Sequence, residues 1–471
     1  MVSGNGNGNG VKEVVKEEVR DEIKEKIVEK REEPKKEKKD EKTTERQFKF
    51  LFVSFEGLIG DLALQVKKEG HDVKYYIHSK SEKDVADGFV EKCDDWKALK
   101  DWADVIVFDD VGFGKIADDL RKEGKAVVGG TEYTDKLEDD REFGQNELKK
   151  VGVNVLPHWN FTDFDAAIEF VGKNPGRYVI KPNGKAQNEK ELSFIAQEED
   201  GNDLLNVLQH YKKSWSKKLN DFQLQKFAQG VEIAVGAFFN GKEFIYPINV
   251  NFEYKKMFPG DIGPNTGEMG TMMFWSPPNL LFNETLLKMK PALAEVGYVG
   301  YIDLNCIANA KGIYPLEFTS RFGYPTISIQ MEGVNSSWGE FLRALAKGEE
   351  TEFKTKKGFQ VGVVIAVPPF PFTDLSAFRK YSEDATIIFK KPVTDGIHIG
   401  DVKLVEDDWR LAGESGYSLI VTGTGLTVDD AKKQAYKRIE NILIPNMFYR
   451  TDIGERWSRD SDMLHTWGYL Y

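Results

Sequence analysis

The segment Tyr301–Gly323 constrains this chain more than any other. Ile302, Leu304 and Ile307 mark an apolar strand, residues 309–312 supply turn formers, and Ile313–Phe318 make a second strand. The expected hairpin carries Asp303 on its first strand and Glu317 on its second. Paired antiparallel strands bring such residues close on one face. Neighbouring carboxylates repel unless a cation lies between them, and Mg²⁺ takes oxygen ligands, usually one or two carboxylates plus substrate phosphates. Arg321, four residues after Glu317, adds a planar cationic fork suited to phosphate. Carboxylates alone would suit a plain hairpin facing water. The order acid, apolar strand, turn, strand, Glu-x-x-x-Arg is what singles this one out.

From the N-terminus, residues 1–47 read as a tail. Gly and Asn alternate over 4–10, then Lys and Glu dominate, with 13 basic and 13 acidic residues and no aromatic before Phe48. Such a segment cannot build a core. Val15, Val19, Ile23 and Ile27 recur every four residues, which suits a solvated, partly helical leader, with a localisation or tethering role as the sharper alternative. From Phe48, apolar strands alternate with helical stretches as far as Val128, the pattern of a parallel sheet. The loop Glu56–Gly60 falls at the carboxyl end of the first strand, where such sheets bind ligands. Gly57 and Gly60 would let backbone N–H groups reach a phosphate there, although a plain strand-to-helix turn fits equally well.

Further on, a helix is expected from Asp139 to near Lys150, then a strand running to Pro157. Tyr178–Pro182 is a strand ending in Lys-Pro, and Lys181 can meet a nucleotide phosphate as a point charge. On this motif alone a surface lysine before a turn is the better reading. Phe222–Glu232 leads into a strand with a turn at Asn240-Gly241. Residues 255–270 read as a long polar loop, with glycines for close backbone approach and Asp261, Asn265 and Thr266 for directed hydrogen bonds.

Taken together, these strings resemble a family. The hairpin looks like the metal-binding hairpin of ATP-grasp enzymes. The run Gly-Asp-Ile-Gly-Pro-Asn-Thr-Gly-Glu-Met-Gly at 260–270 and Leu-Glu-Phe-Thr-Ser-Arg-Phe-Gly-Tyr-Pro-Thr at 316–326 resemble strings of the glycinamide ribonucleotide synthetases, also called phosphoribosylamine–glycine ligases. The Gly362–Pro369, 413–421, Val428–Ile442 and Tyr449–Gly454 segments look like that family's final domain in order, so the resemblance covers roughly 48–456. It implies an α/β chain, α+β in parts. The tail at 1–47 would be followed by a Rossmann-like domain over 48–134, an ATP-grasp domain over 135–350 and a mixed C-terminal domain over 351–471. It implies ATP with Mg²⁺, or Mn²⁺ in its place. Asp303 and Glu317 would hold the metal, with Thr319 helping where the family usually has Asn. Lys181 would touch the ATP phosphates, Gln225, Lys226 and Phe227 would face adenine, and Glu232 would meet ribose. Arg321 would stabilise the transferring phosphate, with Asp261, Asn265 and Thr266 on the amine-substrate side.

Departures from the family fall on its substrate loops. The glycine run followed by Arg-Glu-His, which would hold the phosphate of phosphoribosylamine, is here Phe-Glu-Gly-Leu-Ile-Gly-Asp at 55–61. The glycine-rich lid after Lys181 is replaced by Lys-Ala-Gln-Asn-Glu-Lys at 185–190, and Asp-Pro-Glu has become Tyr-Pro-Thr at 324–326. The expected reaction makes an acyl phosphate from ATP and a carboxylate, which an amine then attacks, with glycine and phosphoribosylamine as the leading pair. A ligase of the same chemistry on another amine or amino acid, and a nucleotide-binding protein without catalysis, are the alternatives.

Net charge is −12, which disfavours nonspecific nucleic-acid binding and leaves an anionic substrate to a local basic site. The apolar run around Val361–Val367 ends at Pro368-Pro369 and is too short to span a bilayer. Cys93 and Cys306 have no metal or redox spacing, which points to packing in a reducing compartment. The expectation is a cytoplasmic enzyme of small-molecule substrates, monomer or dimer, with no nucleic-acid or membrane partner.

Overall fold

The computed structural model describes residues 47–183, 192–219 and 221–471, and Gln47–Tyr471 form one compact unit. The stripe at Val15–Ile27 and the replaced lid at 185–190 lie outside the described residues.

A parallel sheet opens the unit. Its strands are β1 (Lys49–Ser54), β2 (Asp72–Ile77), β3 (Glu91–Lys92), β4 (Val105–Phe108) and β5 (Val127–Val128), in the order β3-β2-β1-β4-β5. All the pairings are parallel, as the alternation of strands and helices predicts. β1 is buried on both faces apart from its first residue, so its sequence reads as a continuous apolar run. Strand order reverses between β1 and β4, and the loops after Ser54 and Phe108 therefore leave the sheet side by side. The loop after β1 turns at Gly57, whose φ is +91° and whose N–H donates to Ser54 Oγ at 2.7 Å. That amide is thus committed to the turn and does not reach outward to an anion.

The expected helix from Asp139 is two helices, Glu132–Asp139 and Arg141–Lys150. Asp140 between them adopts extended backbone and accepts from Phe143 N, capping the second helix. The strand expected to end at Pro157 instead begins after it. It is β6 (His158–Phe161), which joins β7 (Tyr178–Pro182), β8 (Phe194–Ile195) and β9 (Phe222–Lys226) in the order β6-β9-β7-β8. Helices Phe164–Lys173 and Asn202–Ser214 share a separate small core with this sheet, around Phe164, Ile180, Leu204 and Phe222.

The largest sheet carries the hairpin. Its strands are β10 (Val231–Asn240), β11 (Phe244–Glu253), β14 (Gly270–Ser276), β15 (Val299–Asn309), β16 (Gly312–Thr319), β17 (Phe359–Ala366), β19 (Ile397–Ile399) and β22 (Tyr417–Gly425). Their order is β16-β15-β10-β11-β14-β17-β22-β19, so strands from both sides of residue 350 share one sheet. Smaller ladders pair β12 (Lys256–Phe258) with β13 (Ile262–Asn265), β18 (Ile388–Phe389) with β23 (Ile442–Leu443), and β20 (Val402–Val405) with β21 (Asp408–Leu411). The stretch 255–270, read as a loop, therefore contains a β-hairpin. Gly260 and Asp261 make its tip at φ +76° and +57°.

Candidate active site

Alternation along the large sheet places Ile302, Leu304 and Cys306 in the core and turns Asp303 and Asn305 to the opposite face. Register then fixes their neighbours. Asp303 lies across from Thr319 and Asn305 across from Glu317, so Asp303 and Glu317 are diagonal rather than opposed. On the other side of β15, Asp303 faces Gly236 and Asn305 faces Ala234. A Cβ at Gly236 would lie 2.1 Å from Tyr301 Oη and 2.8 Å from Asp303 Oδ2, so the glycine leaves the room these groups occupy.

Asp303 is buried and accepts hydrogen bonds from Asn251 Nδ2 at 2.9 Å and Tyr301 Oη at 3.1 Å. Burial, and then the nearby Glu253 carboxylate, push its pKa up to about 7 against the opposing pull of those donors. Beside it stands Lys255, with Nζ 2.8 Å from Glu232, 3.0 Å from Glu253 and 3.8 Å from Glu317. Burial favours loss of the Lys255 proton, but the three carboxylates outweigh it and hold the pKa well above the usual lysine range. Asn305 Nδ2 donates to Glu253 at 2.7 Å. The side-chain oxygens Oδ1 of Asn251 and Asn305 are buried and have no hydrogen-bond partner among the described residues.

Lys181 enters from β7, across from Gln223 of β9. Burial and then the neighbouring Arg141 lower its pKa to about 8, while Glu317 and Glu232 pull the other way. Arg141 is anchored to Pro182 O at 2.6 Å, and its Nε is a buried donor without a partner among the described residues. Lys181, Glu232, Asp303 and Glu317 thus gather round Lys255, and Thr319 lies across from Asp303. Lys226 and Phe227 line a cavity of about 350 Å³ with Arg177 and Glu199, and Arg177 stacks 3.7 Å from the Phe227 ring. Lys226 lies across from Tyr178, on the face of β9 opposite Gln223 and Lys181. Gln225 is buried in β9, with its Nε2 unpartnered among the described residues. Glu232 points at Lys255.

The remaining expected residues lie elsewhere. Arg321 Nε pairs with Asp110 at 2.9 Å and Glu138 at 3.1 Å, so its charge is directed to the end of the parallel sheet. Asp261 sits at the β12–β13 tip and is held by Arg450 at 2.9 Å and Arg456 at 3.7 Å. Asn265 is exposed on β13. Thr266 is buried and gives both its N–H and its hydroxyl to Lys255 O, at 2.8 and 2.9 Å. The distinctive string around it therefore anchors the backbone that presents Lys255. Sequence reasoning missed Lys255, Glu253, Asn251, Asn305 and Arg141. Asn305 carried a usable signal, since it lies two residues from Asp303 on one strand and so shares its face.

Comparisons with known proteins give the family. Residues 139–327 match the phosphoribosylglycinamide synthetase ATP-grasp (A) domain and residues 360–456 match the phosphoribosylglycinamide synthetase C domain, together more than half of the chain. A phosphoribosylamine–glycine ligase of Streptococcus pneumoniae is 26% identical over 360 residues, covering 74% of this chain and 82% of that protein. One of Clostridium acetobutylicum is 26% identical over 356 residues, covering 72% and 81%. The solved phosphoribosylamine–glycine ligase of Thermotoga maritima shares the fold at a TM-score of 0.65 and 21% identity, over 86% of this chain and all of that one. The biotin carboxylase domain of a 2-oxoglutarate carboxylase from Hydrogenobacter thermophilus shares it at 0.59 and 14%, over 86% and 92%. The fold is ATP-grasp, and the chain belongs to the phosphoribosylglycinamide synthetase family.

Proposed function

We propose that this chain is an ATP-dependent, ADP-forming carbon–nitrogen ligase that joins glycine to phosphoribosylamine, the step of purine biosynthesis for which its relatives are named. The observation that carries the ligase chemistry is the convergence of Asp303 and Glu317, on one face of the largest sheet, with Lys255 at the end of β11 and Lys181 from the smaller β6–β9 sheet. In this reading the γ-phosphoryl group moves to a carboxylate oxygen of the amino acid and ADP leaves. The amine nitrogen then attacks the carbonyl carbon, the carbon–oxygen bond to phosphate breaks with its electron pair, and the proton from nitrogen goes to the departing phosphate or to water. The chain needs no nucleophile of its own. It positions the reactants and stabilises the charge of the transferring group.

Lys181 is the cation for the ATP phosphates, and its half-buried setting makes its charge count for more than it would in water. Gln225, on the same face of the small sheet as Lys181, stands toward the base, with Phe227 following at the end of β9. A divalent cation fits the face, because the orphaned oxygens of Asn251 and Asn305 sit beside Asp303 and Glu253 and have no other partner among the described residues. Asp303, Glu317 and Asn305 would hold it, with Thr319 across from Asp303. When bound, Mg²⁺, or Mn²⁺ in its place, neutralises phosphate charge. Lys255 keeps Glu232, Glu253 and Glu317 together.

Among the described residues no helix is long and apolar enough to cross a membrane. The reading carries a cytoplasmic location, small-molecule partners and a monomer or dimer. It divides the chain into a parallel-sheet domain over 48–134, the ATP-grasp domain over 135–350 and a mixed domain over 351–471. The same chemistry on another amine is a second reading, favoured by the charge at the end of the parallel sheet. The test is ADP release with purified protein, ATP, Mg²⁺, glycine and freshly generated phosphoribosylamine. Turnover that needs both substrates and is lost in Glu317→Gln supports the first reading, and turnover with a different amine alone replaces it.

A further inference from the structure

Three strands of the largest sheet send a carboxylate to one ammonium. Glu232 of β10, Glu253 of β11 and Glu317 of β16 lie 2.8, 3.0 and 3.8 Å from Lys255 Nζ. A lysine ammonium carries three donors, so each carboxylate can take one. Asn305 Nδ2 also donates to Glu253, at 2.7 Å, so that Glu253 is held from two sides. The longest contact is the one to Glu317, which is also the residue that the reading above gives to a divalent cation. A single carboxylate is therefore claimed by two cations.

The backbone that carries Lys255 is fastened on both sides. Thr266 gives its N–H and its hydroxyl to Lys255 O at 2.8 and 2.9 Å. Tyr254 N–H donates to Gly270 O at 3.0 Å, and Tyr254 O accepts from Met269 N–H at 2.8 Å. The side chain is less confined, since it is 31% exposed and the Glu317 side chain 48% exposed. Its flexible four-carbon stem lets the ammonium change partners while the chain stays in place. No three acids or histidines among the described residues are arranged to hold a metal ion. The acids of this face converge on the ammonium instead, and a divalent cation set against Glu317 would stand beside a like charge.

We propose that Lys255 is a tethered counter-ion of Glu317 that keeps free divalent cations off the face until the triphosphate of a nucleotide takes over its third donor. The proposal rests on the cation and nucleotide reading above and adds the order in which the face is filled. Glu232 and Glu253 hold the ammonium at the two shorter distances and keep it in either state. Glu317 is given up when phosphate oxygens reach the third donor, and its carboxylate is then free to turn to the cation that accompanies the nucleotide. Toward that cation Lys255 is a positioning residue, acting through Glu317.

The test titrates the full chain with Mn²⁺ alone, without nucleotide or acceptor, and reads bound metal by electron paramagnetic resonance. Lys255→Met is expected to bind Mn²⁺ about tenfold or more tightly than the parent, and Lys255→Arg, which keeps the charge, about as weakly as the parent. Lys255→Met combined with Glu317→Gln returns to the parent's affinity. With metal chelated, calorimetry is expected to show the β,γ-imido analogue of ATP binding Lys255→Met about tenfold more weakly than the parent. Because loss of the ammonium costs stability, Lys255→Gln, which keeps part of the stem and a donor for the carboxylates, is measured beside it and follows it. Mn²⁺ raises the melting temperature of both neutral variants more than that of the parent. Unchanged Mn²⁺ affinity in the neutral variants, equal tightening in Lys255→Arg, a gain that survives the loss of Glu317, or analogue binding indifferent to Lys255 overturns the proposal. None of these readings uses an acceptor or ADP release. A chain that shows them but turns over with no amine loses the ligase reading and keeps this one, and a chain that joins glycine to phosphoribosylamine but fails them does the reverse.

Discussion

Lys255 Nζ stands 2.8 Å from Glu232 Oε1, and this contact joins two strands that carry the reaction face. Glu232 lies near the start of β10 and Lys255 follows β11, so the pair closes one end of their ladder. Glu253 and Glu317 share the same ammonium. Lys255→Met would leave three carboxylates facing one another without a counter-charge. The expected loss is roughly 2–3 kcal/mol of stability, read by thermal denaturation, together with a fall in ADP release of a hundredfold or more. A variant that melts like the parent would show that the carboxylates separate without harm.

Gly236 gives a second prediction, argued from space. Its Cβ position collides with the Tyr301 hydroxyl and crowds Asp303. Gly236→Ala therefore pushes the Asp303 carboxyl off its donors at a cost of about 1–3 kcal/mol. The site is affected more than the fold, because the shift falls on the polar face. Activity at saturating ATP is expected to drop at least tenfold, with far-ultraviolet dichroism unchanged.

Asp109 predicts a pH dependence of stability. Burial and the neighbouring Asp110 raise its pKa to about 8, far above that of an unfolded aspartate. The native state thus holds a proton that the unfolded chain releases, and stability falls as pH rises from about 4 toward 8. Above the folded pKa the loss is complete. Asp109→Asn cannot ionise, so its urea midpoint should decline less between pH 5 and pH 8 than the parent's. Parallel slopes for the two proteins would show that Asp109 is already ionised in the native state.

How much of this was legible in the sequence depends on the range of the cause. The 301–323 hairpin could be read because alternation and turn formers act within a few residues. The parallel sheet could be read because strand and helix periods differ. Lys255, Glu253 and Asn251 could not, since their role depends on the register of β11 against β10 and β15, and register is a long-range property. The same holds for Arg321. Its spacing from Glu317 suggests a phosphate contact, but packing places Asp110 and Glu138 against its guanidinium. The β12–β13 hairpin was hidden by glycine and proline, which read as loop, while Arg450 and Asp452, nearly two hundred residues later, fasten its tip.

Thr319 and Asn305 predict how the face treats a divalent cation. Register sets Thr319 across from Asp303 and Asn305 across from Glu317. A threonine hydroxyl is a weaker cation ligand than an amide oxygen, and Asn305 offers a buried amide oxygen with no partner among the described residues. Asn305→Ala removes that oxygen and also frees Glu253 from its 2.7 Å donor. The Mg²⁺ concentration for half-maximal ADP release should therefore rise by about 10–100-fold, the range typical of lost support around a metal. Thr319→Asn should lower it several-fold, and Thr319→Val should raise it. If neither Thr319 variant moves the Mg²⁺ dependence while Asn305→Ala does, the cation lies on the Glu317 side of the hairpin and Thr319 only packs against Asp303.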